Sequence, residues 1–90
     1  MEEDNGLIQQ LRGWSEELFL RGLSQFTIRD TQLLEHMALD AQRLQMHFLH
    51  ELISGVVEAG RRAALGEGHE EQLLDQYCRL AQYVQLSEQT

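Results

Sequence analysis

The residues best suited to chemistry in this chain are His36, Asp40, Arg43, His47, His50 and Glu51. His36 with Asp40, and His47 with Glu51, stand four apart, which on a helix puts each pair on adjacent turns of one face. Neutral imidazole and carboxylate are the ligand types a zinc or di-iron site requires. On a helix turning about 100° per residue, all six fall within a stripe about 100° wide. A solvated helix surface has the same mixed composition, however, and Arg43 would set a fixed positive charge among the ligands. Neither Glu-x-x-His nor His-Glu-x-x-His occurs. The solvated face is the expected reading. His36, Asp40, His47 and Glu51 stand as the metal-ligand candidates, and no metal or cofactor is assigned.

Other chemistries find less support. No nucleophile–base arrangement, Gly-rich phosphate loop or paired-carboxylate site is recognisable, so a non-catalytic protein is expected. Cys78 is the single cysteine. It excludes an intrachain disulfide and any Cys-based zinc site within one chain. Its place beside the stripe of Leu73, Tyr77, Leu80 and Val84 predicts a buried structural thiol.

Charge narrows the partners. Fifteen Asp and Glu oppose seven basic residues, all Arg, for a formal net of −8. Phosphate backbones are bound mainly through basic stripes. An acidic balance therefore argues against nucleic acid and anionic membranes, and favours basic or apolar protein surfaces. A helix-turn-helix across the first turn would carry only Arg29 near the start of its second helix, which is weak for recognition. Arg61 and Arg62, the one adjacent basic pair, are the best candidates for a partner contact, together with Tyr83, which lies off the Tyr77 stripe.

These side chains must be positioned by helices. Proline is absent, and the apolar period is helical throughout. Leu7, Leu11, Trp14 and Leu18 predict a first helix over about residues 7–21, widened by Ile8 and Phe19, capped by Asp4 or Asn5, with Gly22 past its end. A second helix is expected over about residues 25–65, with Ser24 or Thr27 as N-cap; Thr27 would form a capping box with Asp30. A third, over about residues 69–86, carries Glu70 and Glu71 where carboxylates complement the dipole.

The central helix is the unusual one. Its apolar residues, among them Leu33, Leu34, Met37, Ala41, Leu44, Phe48, Leu49, Leu52, Ile53 and Val56, cover about 200° of the circumference, where one partner helix needs about 100°. Some 38 helical residues span about 57 Å, against a radius of gyration of about 12 Å for a compact chain of ninety. Either this helix breaks, most naturally near residues 55–60, or the molecule is elongated and pairs with a second copy. The elongated homodimer is the expected architecture: an all-α chain of three helices, one domain over residues 1–90. Its expected interface is Leu34, Met37, Ala41, Leu49, Leu52, Gly55, Val56 and Ala59. Gly55, Ala59 and Ala63 form a small-residue path suited to close helix approach.

The opening Met1-Glu2-Glu3-Asp4-Asn5 is acidic where a signal peptide is basic, and the longest apolar runs fall far short of the ~20 residues needed to span a bilayer. A cytoplasmic protein without membrane contact is expected. Leu23-Ser24-Gln25-Phe26-Thr27-Ile28-Arg29 resembles the Leu-Ser…Gln-Phe-x-Ile-Arg opening of the NblA-type phycobilisome-degradation adaptors, small helical dimers of cyanobacteria. The resemblance covers seven residues of ninety, needs a gap and lacks that family's following helix-breaking segment, so no assignment follows from it. The expected function is a small acidic helical module that binds another protein, as adaptor, chaperone or antagonist. The alternatives are a dimeric DNA-associated regulator and a metal-binding helical protein using the histidine stripe.

Overall fold

Apolar residues recurring at three- and four-residue intervals, with no proline to interrupt them, leave the chain little choice but helices. The computed structural model describes residues 2–68 and 70–88. It contains α1 (Glu2–Arg21), a 3-10 turn at Leu23–Gln25, α2 (Ile28–Arg43), α3 (His47–Ala64) and α4 (Glu70–Glu88). Each helix packs on its neighbours in the chain, and α1 closes the ring against α4. A four-helix bundle results, with a radius of gyration of 12.3 Å and extents of 39 × 23 × 18 Å.

Two boundaries differ slightly from the sequence reading. The first helix already begins at Glu2, so Asp4 and Asn5 lie within it instead of capping it. The last helix runs Glu70–Glu88, two residues past the expected end; His69, its expected first residue, lies outside the described residues.

The larger correction concerns the central helix. The span expected as one helix over residues 25–65 is two helices, and the break lies at residues 44–46, not near 55–60. At the break, Met46 N–H donates to the Ala41 carbonyl at 2.8 Å and Gln45 N–H to that of Gln42 at 3.0 Å. That pair of bonds is a Schellman motif, which requires a left-handed residue just past the cap. Gln45 takes the position, with φ of 60°. The end of α3 repeats the motif: Glu67 N–H donates to Arg62 at 2.8 Å, Gly66 N–H to Ala63 at 3.1 Å, and Gly66 has φ of 75°. The two turns are the same in hydrogen bonding, but only the second carries the glycine that announces it.

Folding back at Gln45 covers the wide apolar arc from within the chain. Leu34, Met37 and Ala41 of α2 and Leu49, Leu52, Val56 and Ala59 of α3 are all buried in one core. These residues, expected to meet a second copy, are occupied intramolecularly, and Gly55 is half-buried. The uncovered arc therefore no longer supplies a motive for dimerisation. Phe48 was placed in the core by the assumption of a continuous helix. It is 62% exposed instead, and it leans on Tyr83 of α4 with ring centroids 5.6 Å apart.

Both glycines of α3 serve close approach without kinking the helix. A Cβ on Gly60 would collide with the ring of Phe26, and one on Gly55 with the amide end of Gln76. The Gln76 end can swing away, whereas Phe26 is buried between Gly60 and Trp14, whose ring it meets edge-on at 6.3 Å.

The first corner is tied by one carboxylate. Thr27 and Asp30 form the expected capping box at the start of α2, with Thr27 N–H donating to Asp30 Oδ2 at 2.8 Å. The other oxygen, Oδ1, accepts from Trp14 Nε1 at 3.1 Å and from Arg21 Nη2 at 3.0 Å, so it joins the second half of α1 to α2. Burial alone would raise the pKa of Asp30, but the hydrogen bonds from Thr27, Trp14 and Arg21 outweigh it and hold the value below the ordinary 3.8.

Two predictions follow from these corners. Gln45→Gly should stabilise the fold by up to about 1 kcal/mol in urea unfolding, because glycine carries no left-handed penalty. A loss of stability would mean that Gln45 is held there by contacts of its own. Second, a carboxylate whose pKa falls on folding contributes stability that is fully present above 3.8 and is lost as pH drops through its lowered folded value. Asp30→Asn should cost about 1–3 kcal/mol at neutral pH, where its amide would face the Thr27 N–H. It should also flatten the fall in stability below pH 4 relative to the unsubstituted protein.

Candidate functional site

The break in the central helix separates the residues with the most suggestive chemistry. His36 and Asp40 lie on α2, and His47, His50 and Glu51 lie on α3. Asp40 is engaged by Arg43, whose Nη2 lies 2.8 Å from its Oδ1. Among the described residues, no group of three or more His, Cys, Asp or Glu side chains is close enough to hold a metal ion. His50 turns instead toward a groove between α2 and α3, where exposed Leu39 and Leu65 flank buried Ala38 and Val57.

The arginines are largely matched to carboxylates. Arg61 reaches Glu35 at 2.7 Å, joining α3 to α2, and Arg62 lies 3.7 Å from Glu58. Arg12, Arg21, Arg43 and Arg79 are also paired, which leaves Arg29 as the described arginine without an ion pair. The basic pair singled out in the sequence thus lines a groove of mixed charge. Tyr83 is half-buried under Phe48, and those two rings form an exposed aromatic corner at one end of the α3–α4 surface.

The α1–α4 groove has a different character. It encloses about 550 Å³, with Ser15, Tyr77, Ala81 and Val84 beneath Phe19 and Leu20. The phenol of Tyr77 donates to the Ser15 carbonyl at 2.6 Å and ties the two helices together at the floor. Burial, with smaller contributions from neighbouring Cys78 and Glu16, pushes the Tyr77 pKa up from its ordinary 10.0. Phe19 is 73% and Leu20 84% exposed. Arg12 spans one end, 3.2 Å from Glu16 and 3.3 Å from Glu88. Leu74, also exposed, precedes Ala81 by seven residues and so shares its side of α4.

Phe19 was expected to widen the buried stripe of the first helix, and Cys78 to be a buried thiol. Both are exposed. A signal for the groove was present in the sequence. Leu18, Phe19 and Leu20 are consecutive, and at about 100° per residue no amphipathic helix can bury all three. Leu18 takes the core, fully buried, and the other two are left outside.

The histidine stripe yields a direct test. A ligand that binds only the native state stabilises it by about 2.7 kcal/mol at a hundredfold excess over its dissociation constant, several degrees in melting temperature for a chain this short. Zinc should leave the melting temperature unchanged, since Arg43 occupies Asp40 and His36 lies on a different helix from His47 and Glu51. A rise of several degrees that His47→Ala abolishes would establish a site. Compared with protein-family models, with curated proteins and with solved structures, the chain matches none at a significant level.

Proposed function

We propose that this chain is a non-catalytic protein–protein interaction module, an adaptor, chaperone or antagonist that presents a helical, largely acidic surface to another protein. One observation carries the reading. Among the described residues no buried side-chain nitrogen or oxygen lacks a hydrogen-bond partner, yet Phe19 and Leu20 project side by side over an apolar groove. Single exposed apolar side chains are ordinary, but a contiguous set rimmed by polar groups marks an interaction site. Covering a large apolar side chain is worth about 1.5–3 kcal/mol, so these two alone give a partner an appreciable share of a binding energy.

The charge supports a protein partner over nucleic acid. Six of the seven arginines are already neutralised by carboxylates, so little basic surface is available to phosphate. No helix among the described residues is long and apolar enough to cross a membrane. The cytoplasm is the compartment this reading favours. Self-association belongs to the same reading in a narrower form: with the central arc covered inside one chain, a second copy would have to use the exposed side chains.

Affinity capture from the native host tests the reading. The unsubstituted chain should retain a defined protein that Phe19→Asp/Leu20→Asp, Leu39→Asp or Phe48→Asp loses, with all variants melting cooperatively. Recovery of the same proteins by every variant, or of none by the parent, would overturn it.

A further inference from the structure

We infer that the α1–α4 groove is the docking site for an amphipathic helix with basic flanks, contributed by another protein. The inference rests on the interaction-module reading and adds the chemistry of the partner.

The shape sets the kind of segment. The open stretch runs from Arg12 to Leu20 on α1 and from Tyr77 to Glu88 on α4. Eleven helical steps from Tyr77 to Glu88 are about 17 Å long, which suits about three turns of one more helix lying between two parallel ridges. The floor presents Ala81 and Val84, small enough to admit large side chains, and Phe19 and Leu20 stand up as one wall. An apolar seam with i, i+3, i+4, i+7 spacing fits such a trough, as in other helix-in-groove complexes.

The rim sets the charge. Glu16 and Glu88 border the groove with Arg12 between them, and Arg12 is already bound to both. Two carboxylates against one guanidinium leave the border net negative, in a chain whose formal charge is −8. Lys or Arg flanking an apolar seam would meet complementary charge and be steered toward it at long range. A second copy of this chain would bring acid to acid, which is why it is not the favoured occupant.

The experiment uses the full chain and two synthetic 18-residue helices with the same leucine seam, one flanked by Lys and the other by Glu. Binding is read by fluorescence anisotropy at physiological salt, against the parent, Phe19→Asp and Leu39→Asp. The Lys-flanked helix should bind the parent at least tenfold more tightly than the Glu-flanked one. Phe19→Asp should weaken it at least tenfold, while Leu39→Asp, in the α2–α3 groove, should bind as the parent does. Phe19→Asp adds negative charge, so non-specific attraction of a basic peptide would strengthen with it; a loss can come only from the groove. Phe19 is mostly exposed, and an unchanged thermal melt will show that the variant is folded. Equal binding of the two helices, or binding indifferent to Phe19→Asp, overturns the inference. So does a parent chain that sediments as a dimer and becomes monomeric with Phe19→Asp, since the groove is then filled by a second copy. If the peptides fail while host capture is lost only in Phe48→Asp or Leu39→Asp, this inference falls and the interaction-module reading stands.

Discussion

The carboxylate of Asp30 is the group on which the arrangement of the bundle depends. It closes the cap of α2 through Thr27, and it gathers Trp14 from the middle of α1 and Arg21 from its end. With no intrachain disulfide available, the angle between α1 and the α2–α3 hairpin must be fixed by such directional contacts. Hydrogen bonds to a charged acceptor are stronger than neutral ones, and their loss at a buried site leaves donors without partners. Trp14 then organises the aromatic packing around this point. Phe26 meets it edge-on, and Tyr77 lies 6.1 Å away on the opposite element. Phe26 in turn rests on the bare backbone at Gly60, so the corner is built of groups that cannot move independently.

That rigidity bears on function because it decides which side of α1 is covered. With Trp14, Leu11 and Leu18 turned inward, Phe19 and Leu20 must emerge on the side toward α4 and solvent. Tyr77 holds the floor of the resulting groove to the backbone of α1 through Ser15. The floor is thereby fixed in advance, and a partner helix would meet little ordering cost from it. The same helices that make the core also shape the surface left open.

Charge is distributed with a corresponding economy. Most arginines sit beside carboxylates three or four residues away or across a helix pair, which neutralises them locally. Exposed pairs of this kind contribute little stability. They do, however, leave the acidic excess as the dominant long-range field, and that field acts on whichever partner approaches.

The sequence by itself determined the helical class, three of the outer helix boundaries to within a few residues, and the core stripes of α1 and α4. Leu11, Trp14, Leu18, Leu73, Tyr77 and Leu80 were legible because their spacing matches the helical period and each such helix has one buried face. The Thr27–Asp30 cap was legible because its geometry is local. The break at Gln45 was not: neither glycine nor proline marks it, and a left-handed glutamine is tolerated only because the hairpin it permits buries Leu34, Met37, Leu49, Ile53 and Val56. Non-local burial won over local preference there, and everything phased from an unbroken helix moved with it. Phe48 went to the surface, the supposed interface went to the core, and the histidine stripe was divided between two helices. The groove had a trace in the Leu18-Phe19-Leu20 run, but its second wall required α4 to lie beside α1, a pairing between segments some sixty residues apart, as Ser15 and Tyr77 are. Periodicity reports which face of a helix is apolar; only the packed chain decides which neighbour covers it.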